Sequence, residues 1–546
     1  MQQVEERGAG VAPARTAIRQ ASRPSSFRVL CALAAGWVLL LHVVATGRGM
    51  SVSEDSALYV GAARNLLAGH GLTLPFGTPE PVLLTQFPPF YAALLAAHKL
   101  IGLPMLEFAR WLNLLFAVVT VLLVIRLSRS LTDGALGTAA LAAVLVVSST
   151  RMIAVDAMVM SEPAMICLGT LGLVVLIRFL GPRSGASLTL LLVAAGLAGL
   201  AALTRYVGAA YGLTGLIVLV GAVRRRRCRV RTVVIYGVVS LGPLVCFLAY
   251  SVLRAARPVN RPFGVHPPAA ADLRALIDTF GSWLWSAPGS ARTLAGVVAV
   301  GLTVLALVQL RSRQAADRDA SRDVTSTLGV FAVVYVLGVL ASATFVDASI
   351  PGDAPRILLP VLPVVAVLLT AGLRDAVRRA RLSKMALAAL PIVVVIAVVV
   401  PHATNSVRWA RYARRNGVAV RAREEGRWPL LARIRDTPRA ITIYSNDAPL
   451  LYLLTGRHVV DVPTDVSAYT RRPVPGFSQE LARMDHELRG GRAELVYLDN
   501  GFSPSRERLL ELVDLTPIYR SRSATVFVSA RCAPRCGGST VVDPHA

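Results

Sequence analysis

The sequence predicts a polytopic α-helical membrane protein with about eleven transmembrane helices, followed by a smaller C-terminal α/β domain. The chain has 546 residues, of which 54% are hydrophobic, and its mean hydropathy is +0.57. Apolar blocks of about 17–22 residues recur along it, which is the length that crosses the hydrocarbon core of a bilayer. No such block follows Pro401, where a mixed polar and apolar sequence begins.

The predicted membrane domain follows a basic tail, residues 1–28, which we place in the cytoplasm. No small-residue cleavage site follows the first apolar block, so we interpret this block as a retained anchor and not as a removed signal peptide. The eleven blocks predicted to span the membrane are residues 29–46, 108–125, 135–150, 164–180, 188–203, 206–222, 232–253, 292–310, 328–345, 357–373 and 385–401.

The distribution of positive charge orients these helices. The formal net charge is +26, but the arginines form short runs between apolar blocks, and this pattern argues against nucleic acid as a partner. Basic loops stay on the cytoplasmic side of membranes. Residues 87–103 contain His98 and Lys99, and a span there would put the run "RRRRCRVR" outside, so we assign them to an interfacial helix. The N-terminus is then cytoplasmic and the C-terminus extracytoplasmic in a multi-pass protein of the plasma membrane, with membrane lipids as partners.

Three domains follow from this assignment: the tail 1–28, a membrane domain 29–401 with an external loop 47–107, and an extracytoplasmic domain 402–546. In the last domain, strand patterns such as "AITIYSND" alternate with helix patterns such as "APLLYLLTG", which is typical of an α/β fold. This domain could brace the outer face, cover a cleft or bind an acceptor. Cys532 and Cys536 form a C-x3-C pair that allows a small disulfide outside the cytoplasm.

The first external loop contains a pair of carboxylates in "SVSEDSALYVGAARNLLAGHGLT", residues 51–73. Glu54 and Asp55 begin a segment with helical spacing, and Asp55 and Tyr59 lie on one face because they are four residues apart. An Asp at this place has two interpretations. It is either a helix N-cap or a carboxylate that acts on a substrate.

A second external segment, "RMIAVDAMVMSEPAM", places Asp156 after the third span and Glu162 before the fourth. Pro163 suits the first turn of a helix. A carboxylate in lipid costs at least about 2.5 kcal/mol, so these groups are expected to face water or a polar partner. Arg356 in "DASIPGDAPRILLPVLPVV" and Arg205 in "LTRYVG" stand at other outer helix ends, either as phosphate partners or as interfacial anchors.

This set of groups suits sugar transfer from a lipid phosphate. A carboxylate can remove the proton from an acceptor hydroxyl, and an arginine or a metal can stabilise the leaving phosphate. The same set would also fit the gate of a transporter or flippase for a lipid-linked sugar, although the spans carry little charge at their centres. A non-enzymatic scaffold is a third alternative, and it would tolerate the loss of both Asp55 and Glu162.

Four motifs in this order resemble the GT-C glycosyltransferases: "EDSALYVGAARNLLAGHG", "FPPFYAALLA", "MSEPAMICL" and "PRILLPVLPVV". The branch they resemble contains the protein mannosyltransferases and the lipid A aminoarabinose transferase, and the resemblance covers roughly residues 29–375. It implies a membrane glycosyltransferase that takes a sugar from a polyprenyl-phosphate donor, with inversion at the anomeric carbon. The implied acceptor is an extracytoplasmic glycan, lipid or protein.

The resemblance also implies roles for particular residues. It makes Asp55 the catalytic base or acceptor-orienting carboxylate and Glu162 the second catalytic carboxylate, with Asp156 as the fallback. The remaining candidates are substrate-binding residues, namely Glu54, Tyr59, Gln86, Tyr91, Asp156, Arg205 and Arg356. The sequence departs from the branch at Phe87, where the aminoarabinose transferases have a Lys before the Pro-Pro pair. The cation that binds the donor phosphate must therefore come from another residue, and Arg356 is the candidate.

The sequence predicts no obligatory cofactor. Asp55 and Glu162 could share a divalent cation, but no D-x-D motif or histidine cluster requires one, and no metal ligand is assigned. The identity of the sugar and of the acceptor is not encoded in these motifs.

Overall fold

The fold is known from a computed structural model. The residues that this structure describes are 24–181, 187–255, 263–265, 267–285, 288–311, 318–346, 353–380, 385, 393, 395–417, 420–421, 429–467, 472–499, 506–521, 524–531 and 541–542. Cys532 and Cys536 lie outside them.

Helices dominate the described residues up to Asn416. The first group, with the short strands between them, consists of α1 (Pro24–Ala45), β1 (Ser51–Val52), α2 (Glu54–Leu67), β2 (Thr73–Leu74), β3 (Val82–Leu83), α3 (Phe90–Ala96), α4 (His98–Ile101), α5 (Met105–Leu131), α6 (Leu136–Val147), α7 (Thr150–Asp156), α8 (Glu162–Leu180) and α9 (Leu188–Thr204). The second group consists of α10 (Ala209–Arg224), α11 (Val230–Ala255), α12 (Ala270–Ser282), α13 (Ser290–Arg311), α14 (Arg318–Phe345), α15 (Ala354–Ile357), α16 (Leu362–Arg379) and α17 (Val400–Asn416). Short 3₁₀ helices, Tyr206–Gly208 and Leu359–Val361, precede α10 and α16.

Among the described residues, eight helices are long and apolar enough to cross a membrane, or nine if the bent pair α6 and α7 forms one span. The eight correspond to the predicted blocks 29–46, 108–125, 164–180, 206–222, 232–253, 292–310, 328–345 and 357–373.

Three of the eleven predicted spans are not among these eight helices. The block 135–150 is divided between α6 and α7, which are bent by 60°. The block 188–203 forms α9, which has only 17 residues. The block 385–401 lies largely outside the described residues. Residues 87–103 form only the short helices α3 and α4, as expected for a segment that does not span.

The helix α16 lies at the centre of the bundle. The span that contains it, Ala354–Arg379, is 83% buried, more than any other candidate span among the described helices. Between α8, α10 and α14, Tyr211 and Phe331 stack with ring centroids 4.3 Å apart. A Cβ at Gly169 on α8 would lie 2.2 Å from the Tyr211 ring, so only glycine lets the tyrosine pack here.

The C-terminal part contains a six-stranded sheet. The elements of this part of the chain are β4 (Val420–Arg421), α18 (Pro429–Asp436), β5 (Thr442–Ser445), α19 (Ala448–Thr455), β6 (Val460–Asp461), α20 (Phe477–Arg489), β7 (Ala493–Leu498), α21 (Arg506–Leu512), β8 (Leu515–Arg520), β9 (Ala524–Ser529) and β10 (Val541–Val542). The strand order in the sheet is β10-β8-β9-β7-β5-β6. The neighbours of β5 are parallel to it, and β9 is antiparallel to both of its neighbours.

The pattern that predicts alternating strands and helices here matches β5, α19, β6, α20, β7, α21 and β9, but it misses β8 and β10. The strand β8 contains Pro517, which weakens a strand signal. The predicted boundary at residue 402 falls inside α17, which packs against α1. The domain limits stay a prediction.

A small β arrangement joins three distant segments. The strand β1 pairs antiparallel with β4, through Ser51 with Arg421 and Val52 with Val420. The backbone of Ser51 also bonds to the segment before α8. Its N–H donates to the carbonyl of Ala157 at 3.1 Å, and its carbonyl accepts from the N–H of Val159 at 3.2 Å. The starts of α2 and α8 are thereby held side by side.

The C-terminal part also packs directly on α2. Tyr452 of α19 lies against Phe76, with ring centroids 5.0 Å apart, and the guanidinium of Arg64 on α2 lies 5.6 Å from the Tyr452 centroid. A Cβ at Gly61 would come within 2.8 Å of the Phe76 ring. This close packing fixes α2 between the helical bundle and the C-terminal sheet.

Candidate active site

Asp55 occupies the second position of α2 and is not the N-cap of that helix. Ser53 is the N-cap, and it forms a capping box with Ser56 in which each side chain bonds the backbone N–H of the other residue. Because Ser53 satisfies the helix end, the carboxylate of Asp55 is available for another partner. That partner is Arg356, whose Nη1 lies 2.7 Å from Asp55 Oδ2.

Glu162 begins α8 and is almost completely buried, with a side chain that is 3% exposed. Its Oε1 lies 2.8 Å from Nη1 of Arg205 and 3.6 Å from Nε of Arg356. Its second oxygen, Oε2, is buried without a hydrogen-bond partner among the described residues. Burial of a carboxylate is tolerated only beside compensating charge, and the two guanidinium groups provide it.

Arg205 follows the last residue of α9 in an extended conformation, with φ −149°. Burial opposes its positive charge, but the carboxylate of Glu162 outweighs this effect, so the pKa of Arg205 is raised above its ordinary value. Its guanidinium also lies 5.2 Å from the centroid of the Phe87 ring. The group therefore stays charged inside a largely apolar wall.

That wall is aromatic. Tyr59 is fully buried, with its ring centroid 4.8 Å from that of Phe87 and 4.9 Å from that of Tyr91. Its hydroxyl lies 2.7 Å from Ser161 Oγ, and burial raises the pKa of Tyr59 well above its ordinary value, so the phenol stays protonated. The hydroxyl of Tyr91 donates to Asn113 Oδ1 at 3.4 Å.

Four residues predicted separately from the sequence are therefore in contact. Asp55, Glu162, Arg205 and Arg356 form one chain of ion pairs, which we call the charged network. Asp353 extends it, because its Oδ2 lies 2.7 Å from Arg356 Nε. Tyr59 and Tyr91 form the adjoining wall.

The other predicted residues lie around this centre or away from it. Gln86 is half-buried in the loop before Phe87, and Glu54 is exposed at the first turn of α2. Asp156 is buried at the end of α7 and lines a separate small cavity of about 20 Å³ together with His42. No contact between Asp156 and the charged network occurs among the described residues.

Sequence reasoning did not identify Ser161 or Ser51. Ser161 touches both Tyr59 and Arg205, the latter at 3.4 Å. The position of Ser161 directly before Glu162 is the sequence feature that could have identified it. The role of Ser51 depends on strand pairing between segments more than 100 residues apart, which no local pattern shows.

The residues do not form an evident metal site. No group of three or more His, Cys, Asp or Glu side chains within the described ranges is arranged to hold a metal ion. The carboxylates of Asp55 and Glu162 are paired with guanidinium groups. That the protein needs no divalent cation stays a prediction.

The charged network lies partly within a stretch that matches a known family. Residues 86–252, which contain Glu162 and Arg205, match the sequence model of dolichyl-phosphate-mannose-protein mannosyltransferase. This match covers a minority of the chain. No curated protein sequence matches the chain significantly.

Solved structures match over nearly the whole chain. ArnT from Cupriavidus metallidurans bound to undecaprenyl phosphate has 12% sequence identity and a TM-score of 0.58, covering 92% of this chain and 98% of ArnT. The Archaeoglobus fulgidus oligosaccharyltransferase in its apo form has 13% identity and a TM-score of 0.56, covering 87% of this chain and 70% of that one. Arabinofuranosyltransferase AftD from Mycobacteria has 15% identity and a TM-score of 0.51, covering 93% of this chain and 40% of AftD.

At 12–15% identity, these matches show the fold of the chain. The resemblance predicted from the four motifs is confirmed, and the chain has the fold of the GT-C glycosyltransferases.

Proposed function

We propose that this protein is a membrane glycosyltransferase that moves a sugar from a polyprenyl-phosphate donor to an acceptor hydroxyl outside the cytoplasm. The observation that carries the proposal is the charged network, in which the Asp55 carboxylate is held 2.7 Å from the Arg356 guanidinium at the edge of an aromatic wall. The structural relatives support the donor class, because one is bound to undecaprenyl phosphate and another to a dolichol-phosphate.

Asp55 is the proposed base. It accepts the proton of the acceptor hydroxyl as the hydroxyl oxygen forms a bond to the anomeric carbon of the donor sugar. The bond between that carbon and the phosphate oxygen breaks, and its electron pair leaves with the polyprenyl phosphate. Inversion at the anomeric carbon follows from a single displacement of this kind.

Arg356 is the proposed cation for the leaving phosphate. A guanidinium binds phosphate through two parallel hydrogen bonds, whereas it now bonds Asp55 through Nη1 alone. A phosphate that engages Arg356 competes with Asp55 for it and leaves the carboxylate free to act as a base. Donor binding and activation of the base are thus linked through one side chain.

Glu162 and Arg205 are proposed to keep this cation in place. Glu162 Oε1 contacts both guanidinium groups, and an arginine that moved away would leave the buried carboxylate with less compensating charge, which is unfavourable. Arg205 supplies a second positive charge beside the leaving phosphate. Gln86, Glu54, Tyr59 and Tyr91 are proposed to border the bound substrates.

The orientation is part of the proposal. The distribution of basic loops supports an orientation with the charged network at the outer side of the plasma membrane, the N-terminus in the cytoplasm and the C-terminal sheet outside. The acceptor is then a glycan, lipid or protein of the cell envelope.

The proposal is tested with membranes that contain the full chain and a panel of radiolabelled polyprenyl-phosphate sugars. We expect label from one donor to appear in an extracytoplasmic product, and membranes without the protein provide the control. If no donor is consumed but lipid-linked sugar crosses the bilayer, the transporter alternative replaces the proposal. Addition of a chelator to active membranes tests the predicted independence from a divalent cation.

A further inference from the structure

A cavity of about 480 Å³, lined by polar and apolar residues, lies at the chain segment that precedes Arg356. Its walls come from the break between α6 and α7, from α12 and the start of α13, and from α15 and α17. Pro355, which lines it, immediately precedes Arg356. Its volume lies within the range of roughly 300–1,000 Å³ that small-molecule sites occupy.

Two arginines line this cavity, Arg151 at the start of α7 and Arg292 in the first turn of α13. Among the described lining residues, Asp278 carries the carboxylate, which accepts a hydrogen bond from Thr293 Oγ1 at 2.5 Å and lies 3.9 Å from Arg274. No hydrogen bond or ion pair of the Arg151 side chain occurs within the described part of the chain. The cavity therefore contains an arginine that is available to an anion.

The remaining walls are suited to a hydroxyl-rich ligand. Thr150, His402 and Asn405 are among the polar residues that line the cavity, and Trp283, 5% exposed, contributes an aromatic side chain. Aromatic rings combined with a few polar groups are typical of ligand sites. None of these residues belongs to the charged network.

We propose that this cavity binds the acceptor and that the acceptor is a saccharide bearing an anionic group, a phosphate or a carboxylate, which Arg151 binds. The inference rests on the proposed function, because it assigns the acceptor to the cavity beside Arg356. It adds a residue, Arg151, that selects the acceptor class without touching the reacting atoms.

The test measures binding to the purified full chain in an uncharged detergent by isothermal titration calorimetry. The probes are glucose 1-phosphate, glucuronate and glucose. We expect at least one charged probe to bind ten-fold or more tightly than glucose, and the preferred probe distinguishes a phosphate from a carboxylate. Arg151→Gln is expected to weaken its binding at least ten-fold.

The matched control is Arg178→Gln, since Arg178 is an exposed arginine at the opposite end of α8 from Glu162, and it should leave binding unchanged. Equal affinity for glucose and both charged probes would overturn the inference. Binding of a charged probe that survives Arg151→Gln would also overturn the inference. If Arg356→Gln then abolishes that binding, the probe occupies the charged network and not the cavity.

This outcome is separable from the proposed function. Asp55→Asn should retain probe binding although it loses transfer. Loss of transfer with intact, Arg151-dependent binding supports both assignments, whereas transfer that persists in Asp55→Asn rejects the base and leaves the cavity assignment standing.

Discussion

At the scale of single residues, the charged network joins two carboxylates and two guanidinium groups that come from distant parts of the chain. Sequence analysis selected Asp55, Glu162, Arg205 and Arg356 because a charged side chain at the end of an apolar helix is costly unless it meets water or a polar partner. Which of these side chains touch depends on tertiary packing, since Asp55 and its partner Arg356 are 301 positions apart in the sequence. The same reasoning selected Asp156, which lies instead with His42 in another cavity.

The pairing of Glu162 with Arg205 leads to a prediction about stability. Arg205→Gln leaves the buried Glu162 carboxylate with only the 3.6 Å contact to Arg356, so we expect a loss of about 3 kcal/mol, as is usual when one member of a buried pair is removed. Thermal unfolding of the purified protein measures it.

The double variant Arg205→Gln/Glu162→Gln is the control for this prediction, because it removes both charges. It should recover most of the lost stability while transfer stays low. Equal stability of Arg205→Gln and the unchanged protein would show that the pair does not compensate the burial of Glu162.

At the scale of elements, hydrophobic block length predicted helices well and their ends poorly. Every predicted block within the described residues falls on one or more helices. An apolar stretch does not reveal a bend, so the turn between α6 and α7 was not predicted. That turn matters because it carries Arg151 into the polar cavity. The strand β8 was missed for a different reason, since its pairing with β9 outweighs the poor strand propensity of Pro517.

The turn after α9 gives an element-scale prediction. A Cβ at Gly208 would lie 2.2 Å from the carbonyl oxygen of Ala201, so the turn that carries Arg205 closes on α9 only because residue 208 is glycine. Gly208→Ala is expected to cost about 1–3 kcal/mol through overpacking and to reduce transfer by displacing Arg205. Melting temperature and transfer rate in the same preparation measure both effects.

Gly36→Ala is the matched control. Gly36 lies inside α1 and nothing surrounds its Cβ position within 4 Å, so alanine there should be neutral or stabilising by up to about 1 kcal/mol. Similar losses in both variants would mean that the effect of Gly208→Ala does not come from its contact with Ala201.

At the scale of the whole molecule, the C-terminal part and the bundle meet at α2. The strand pair β1 and β4, together with the packing of Tyr452 on Phe76, connects the C-terminal part of the chain to the segment that carries Asp55. Composition predicted a separate C-terminal α/β region, but it could not predict this contact, because both surfaces are assembled from segments distant in sequence. These contacts support the predicted alternative in which the C-terminal part braces the outer face, and that role stays a prediction.

The predicted orientation is testable on intact cells. In a cysteine-free background, Glu80→Cys, in the exposed loop before β3, should react with a membrane-impermeant maleimide. Arg225→Cys, at the exposed end of α10 in the "RRRRCRVR" run, should react only after the membrane is permeabilised. The reverse labelling pattern would place the charged network on the cytoplasmic side and contradict an extracytoplasmic acceptor.

The central claim is that Asp55 removes the proton from the acceptor, and comparison of Asp55→Asn with the unchanged protein tests it most directly. Transfer from the active polyprenyl-phosphate donor and thermal unfolding should be measured on the same preparations. We predict a loss of transfer of at least a hundred-fold, in line with the usual contribution of a general base, in a protein that still folds and inserts. Full transfer by a folded Asp55→Asn protein would contradict the account.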